Sequence, residues 1–145
     1  GIRAAFARGK VTYGDVLNVA PFENHICFLT LTGDKVLQLF REMASVGGEG
    51  VSRSVKLVIT KDGQLRSATI DGKAVEPDAH YRIATLDYLA QGNDKLEAFK
   101  AKTDVVSPQE QAYSVRYIIV NYFKDKAAKG ESVSAKVEGR ITYEK

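Results

Sequence analysis

His25-Ile26-Cys27-Phe28-Leu29-Thr30-Leu31 runs directly into Thr32-Gly33-Asp34-Lys35-Val36-Leu37-Gln38-Leu39-Phe40-Arg41-Glu42-Met43. The first run is apolar on both faces and rich in β-prone residues, which predicts a central strand. Thr32 is a helix-capping type. Val36, Leu39, Phe40 and Met43 then recur at i, i+3, i+4 and i+7, the stripe of a helix packed on a core. Residues 45–54 carry three glycines and read as a loop. Residues 55–60 and 65–70 read as strands with a turn at Asp62-Gly63, and Asp71-Gly72 marks a second turn. Glu76-Pro77-Asp78 leads into a further strand over 81–86. Helices and strands do not alternate regularly, and the middle of the chain is a meander. The pattern predicts an α+β fold: a single domain over 1–145 with a mixed, mainly antiparallel sheet packed with helices, not a doubly wound one.

Upstream, Thr12 has the character of an N-cap and Asp15 stands three residues on, in the capping-box position. Pro21 cannot continue that helix, so it is short. Downstream, Ser107-Pro108-Gln109-Glu110 combines a cap, a proline at the first helical position and a capping-box glutamate, which predicts a helix start there. Ala112, Val115, Ile119, Tyr122 and Phe123 give that helix a buried face, and Gly130 stops it. Residues 138–143 are expected to close the sheet.

The chain has 145 residues, enough for one domain, and its 21 basic and 18 acidic side chains leave a formal charge of +3. These charges are interspersed, with no Lys/Arg cluster alternating with aromatics, so nucleic acid is not expected as a partner. No apolar run approaches the length of a membrane span, and Gly1 opens no leader pattern. The single cysteine, Cys27, lies in the apolar strand and is expected to be a buried thiol.

Catalytic machinery is sparse. A two-metal phosphatase needs several His and Asp ligands to place ions roughly 3.5–4 Å apart. The chain has two histidines, His25 and His80, and neither sits in a ligand-spaced cluster. No Gly-x-Ser-x-Gly, Cys/His pair or Walker loop is present. On its own the chain is expected not to hydrolyse phosphate esters.

A binding constellation is more evident. Pro21 fixes the backbone ahead of Phe22, with Asn24 two residues on and Arg3 upstream. A ring face, an amide and a guanidinium are group types that hold a purine and its sugar. Each also has a plain structural role. Phe22 suits a core residue or a hydrophobic cap on the short helix, Asn24 an Asx-turn, and Arg3 a solvated surface position. Tyr88 suits the core with its hydroxyl at the surface, and Asp94 a turn or the cap of residues 95–100.

Five blocks carry a resemblance that bears on this choice. They are Gly1-Ile2-Arg3 followed by Val11-Thr12-Tyr13-Gly14-Asp15-Val16; Pro21-Phe22-Glu23-Asn24; Leu31-Thr32-Gly33; Tyr81-Arg82-Ile83-Ala84-Thr85-Leu86-Asp87-Tyr88-Leu89-Ala90-Gln91-Gly92-Asn93-Asp94; and Val137-Glu138-Gly139-Arg140-Ile141. In this order they resemble the C-terminal domain of the metallophosphatase-type 5′-nucleotidase / UDP-sugar hydrolase family. The resemblance implies a nucleoside-binding domain whose divalent metals and catalytic residues lie on a separate N-terminal metallophosphatase domain, in cis or in trans. It implies that Phe22 and Tyr88 sandwich the base and that Asn24 bonds its edge. Arg3 and Asp94 would hold the ribose or the phosphate-proximal region, and Gly48, or Gly47 or Gly50 in the same loop, would approach the base. It implies no cofactor in this chain, a nucleotide or nucleoside as ligand, and a periplasmic or cell-surface location.

The chain departs from the family at two of these blocks. Where the family has Gly-Gly-Asp-Gly-(Tyr/Phe), this sequence has Gly92-Asn93-Asp94-Lys95-Leu96, so positive φ angles are harder to adopt. Tyrosine replaces the family's common phenylalanine at position 88, and Glu23 replaces a glycine between Phe22 and Asn24. Two readings compete with a substrate-binding half of a nucleotide phosphohydrolase: a free-standing nucleoside-binding module, and a structural or interaction domain with no catalytic role.

Overall fold

Seven β-strands and four α-helices make up the architecture in a computed structural model that describes residues 4–144. Helix α1, Tyr13–Val19, starts at the expected cap. The Thr12 hydroxyl accepts from the Asp15 N–H at 3.2 Å, and the Asp15 carboxylate accepts from the Thr12 N–H at 2.8 Å. Strand β1, Ile26–Thr32, is central as expected, antiparallel to β5, His80–Leu86, on one side and to β6, Thr103–Val106, on the other. Its buried residues alternate: Cys27, Leu29 and Leu31 face the core.

Helix α2, Gly33–Ser45, lays Val36, Leu39, Phe40 and Met43 onto that face, the stripe legible in the sequence. Burying each such side chain contributes roughly 1.5–3 kcal/mol. The β1–α2 step depends on Gly33. A β-carbon there would fall 1.8 Å from the Glu76 carbonyl oxygen, so only glycine lets the two backbones meet.

The meander forms a second sheet. Strands β2, Val55–Ile59, and β3, Leu65–Ile70, pair antiparallel, and a two-residue β4, Lys73–Ala74, follows the Asp71-Gly72 turn. Strand β7, Ile141–Tyr143, closes this sheet parallel to β2. The expected pairing, mixed and mainly antiparallel, is thus divided between two sheets, ordered β5-β1-β6 and β4-β3-β2-β7.

The C-terminal helix departs from expectation. Helix α4 is Val115–Ala128, with Ser114 at its N-cap. Ser107 and Pro108 do not start a helix, Glu110 is extended, and Ala112 lies in a 3₁₀ turn, Gln111–Tyr113. The reason is tertiary: Ser114 bridges to His25, and the Val115 N–H donates to the Asn24 carbonyl at 2.9 Å. Backbone groups committed to the start of β1 cannot also close an earlier helical turn. The expected stripe is only half covered: Val115, Ile119 and Phe123 are half-buried and Tyr122 is exposed. Phe123 meets Phe6 edge-to-face, with ring centroids 5.1 Å apart. The helix stops at Gly130 as expected, through bonds from Gly130 and Glu131 N–H groups to Ala127 and Lys126 carbonyls.

Candidate functional site

The Phe22 turn is built by three elements. α1 ends at Val19, and Pro21 prevents its continuation. The Arg116 guanidinium donates to the carbonyls of Ala20 at 3.4 Å and Pro21 at 2.8 Å. On the far side of the turn, the Asn24 carbonyl accepts from Val115 as β1 begins.

The Tyr88 segment reaches the same end of the β1/β5 sheet by register. Ile26 pairs with Leu86, and the Asp87 N–H then donates to the His25 carbonyl at 2.9 Å. Residues 22–24 lie just before the start of β1, and Tyr88 just after the end of β5, in the one-turn helix α3, Asp87–Ala90. The structure therefore brings the segments carrying Phe22, Asn24 and Tyr88 together. Phe22 is 45% exposed and Tyr88 44%, so neither ring is a core residue. Asn24 is half-buried.

The loop after α3 is tied back to it. The Asn93 amide donates to the Tyr88 carbonyl at 2.7 Å. Leu96 and Phe99 are buried, and Glu42 of α2 accepts from the N–H groups of Glu97 and Ala98 at 3.1 and 2.8 Å. Between these anchors the chain adopts the left-handed angles despite lacking the glycines: φ is 57° at Asp94 and 66° at Lys95. Asp94 is exposed in this loop. Arg3 lies outside the described residues.

Gly48 has φ +108°, and its close neighbour is Tyr143 of β7. Next to it, Glu49, Gly50 and Val51 line a mostly apolar cavity of about 400 Å³ with Ala84, Thr85 and Leu89, which places this loop beside the segment leading to Tyr88. A larger cleft of about 750 Å³ opens between α1 and α4. Its lining includes Glu23 and His25 but not Phe22 or Asn24, so alternate residues of the turn serve different surfaces. Two positioning residues carry no motif in the sequence: Arg116 at the Phe22 turn and Tyr143 at the glycine loop, where Arg140 of the fifth block also donates to the Val51 carbonyl at 2.6 Å. No local sequence signal marks Arg116 or Tyr143, because their partners lie 95 or 96 residues away.

Among the described residues no group of three His, Cys, Asp or Glu side chains is arranged to hold a metal ion. Nor is any helix there long and apolar enough to cross a membrane.

Comparison with known proteins agrees with the five sequence blocks. Residues 1–101 match the family described as 5′-nucleotidase, C-terminal domain, and the chain belongs to that family. It is 35% identical over 98 residues to Protein UshA of Escherichia coli, an alignment covering 65% of this chain and 18% of UshA. It is 30% identical over 156 residues to the trifunctional nucleotide phosphoesterase protein YfkN of Bacillus subtilis, covering 97% of this chain and 10% of YfkN. The chain therefore spans less than a fifth of either relative. The fold is that of part of a 5′-nucleotidase precursor from Thermus thermophilus, with a TM-score of 0.80 at 23% identity over 99% of this chain and 30% of that one. The structural likeness extends beyond residue 101 and includes α4 and β7.

Proposed function

We propose that this chain is the nucleoside-holding domain of a nucleotide phosphohydrolase. Phe22 and Tyr88 stack on the base, Asn24 bonds its edge, Asp94 and Arg3 hold the ribose or the phosphate-proximal region, and the Gly48 loop approaches the base. The observation that supports this reading is the pairing of Ile26 with Leu86, which gathers the Phe22 turn and Tyr88 at one sheet end with both rings nearly half exposed. Stacking is worth roughly 1–3 kcal/mol per base and is tolerant of base identity, which suits broad nucleotide scope. A carboxylate such as Asp94 can accept from both hydroxyls of a ribose diol.

The metals and the hydrolytic step belong to an N-terminal metallophosphatase domain in cis or in trans, and the complete protein works in the periplasm or at the cell surface. The chain alone turns over no AMP with Mn²⁺ or Zn²⁺. Because the partner domain supplies half of the closed site, adenosine binds this chain only in the micromolar-to-millimolar range, roughly −8 to −4 kcal/mol.

Titration of the 145-residue chain with adenosine, followed by NMR, tests the site. Resonances of Phe22, Asn24 and Tyr88 are expected to move together along one saturable curve. Shifts confined to other regions, or an affinity unchanged by Phe22→Ala, would remove the nucleoside reading.

A further inference from the structure

Arg116 stands in the first turn of α4, outside the 1–101 segment that matches the family, and none of the expected site residues is on its helix. Its side chain nevertheless reaches the turn that carries Phe22. The Nη2 group lies 2.8 Å from the Pro21 carbonyl and Nε 3.4 Å from that of Ala20, while the Val115 N–H meets the Asn24 carbonyl at 2.9 Å. Two consecutive residues of α4 thus bracket the Phe22-Glu23 dipeptide from both ends. The carbonyls of Ala20 and Pro21 follow the end of α1, where backbone acceptors lack helical donors. A guanidinium is always charged and presents a planar fork, so it satisfies both acceptors at once, which an ammonium does less well.

We infer that Arg116 is a positioning residue of the nucleoside site: it holds the Pro21-Phe22 turn so that the Phe22 ring is preset for stacking. This rests on the proposed nucleoside reading and adds a residue that neither the sequence blocks nor the family match contains. Without the guanidinium, Pro21 still restricts its own φ. Nothing described on the α4 side, however, then restrains the carbonyl immediately before Phe22. The turn must then be reordered when the base arrives, and that cost appears as lost affinity. The aromatic surface itself stays intact.

The test compares the wild-type chain with Arg116→Lys, Arg116→Met and, as a control, Tyr88→Ala. Adenosine affinity, thermal stability and ligand-free amide spectra are measured for each. In Arg116→Met the amides of Phe22, Glu23 and Asn24 are expected to shift and broaden while those of Leu29 and Leu57 stay in place. Its adenosine Kd is expected to rise about tenfold, the loss of the guanidinium's hold on the turn expressed as affinity. Arg116→Lys, which keeps the charge and loses the fork, should fall between wild type and Arg116→Met, and it remains informative if the methionine variant does not fold. An arginine with a purely structural role would lower the melting temperature and leave the affinity of the folded chain unchanged, which overturns the inference. Unmoved 22–24 amides overturn it as well. If the wild-type chain does not bind adenosine, the nucleoside reading fails first. The hold on the turn is then decided by the ligand-free spectra alone.

Discussion

The hydroxyl of Tyr143 lies 2.9 Å from the point a β-carbon on Gly48 would occupy, and it donates to the Gly47 carbonyl at 2.6 Å. The last strand of the chain thereby pins the glycine loop. The position demands glycine twice over, by this approach and by its φ of +108°. Gly48→Ala is expected to lower stability by about 1–3 kcal/mol, and Tyr143→Phe by about 0.5–1.5 kcal/mol through loss of its bond to Gly47. The double variant should be less destabilised than the sum, because removing the hydroxyl relieves the collision while the backbone strain stays. Urea midpoints of the four proteins give the coupling. Strict additivity would show that the contact does not bear on the glycine requirement.

Lys95 is held at φ 66° where the family has glycine. A side chain in that region costs about 1–2 kcal/mol, offset in part by the greater freedom glycine gains on unfolding. Lys95→Gly should therefore raise stability by about 0.5–1 kcal/mol. A drop in the urea midpoint would mean that the lysine side chain contributes more than its backbone strain costs.

Among the described residues four carboxylates are held below their ordinary range. A hydrogen bond from the Thr12 backbone lowers Asp15, and the Thr32 hydroxyl lowers Asp34. The Arg53 guanidinium, joined by Arg140, lowers Glu138, and Arg66 lowers Glu144. A carboxyl whose pKa is lower folded than unfolded binds fewer protons when folded. Its stabilisation is thus present above the ordinary values of 3.8 for Asp and 4.5 for Glu and is lost as the pH falls through the folded value. Urea midpoints should hold from pH 7 to 5 and fall below about pH 4. Glu144→Gln should flatten part of that acid limb. A stability profile level down to pH 3 would contradict this.

At position 88 the proposed role requires a ring rather than a hydroxyl. Tyr88→Phe is expected to keep adenosine affinity within about twofold, whereas Tyr88→Ala should lose roughly 1–3 kcal/mol. Isothermal titration of the three proteins decides it. Equal losses for both variants would assign the effect to the hydroxyl and discard stacking.

Local chemistry made much of the fold legible in the sequence. The Thr12/Asp15 capping box, the Val36-Leu39-Phe40-Met43 stripe, the apolar run that became β1 and the Asp62-Gly63 and Asp71-Gly72 turns each depend on residues within one or two turns of one another. The five ordered blocks likewise carry the family resemblance without reference to geometry. Tertiary structure alone decided where α4 begins. Ser107 and Pro108 carry a valid helix-start signal, but the start of β1 claims Ser114 and Val115 through hydrogen bonds no local pattern encodes. It also decided that Thr103–Val106 is a strand, since these exposed residues acquire that identity only by pairing with β1. The candidate site divides the same way. Phe22, Asn24 and Tyr88 were legible as residue types in motifs, while their gathering at one sheet end came from the Ile26–Leu86 register. Arg116 and Tyr143 stayed silent in the sequence because each acts on a backbone carbonyl more than ninety residues away, and a carbonyl has no residue identity to read.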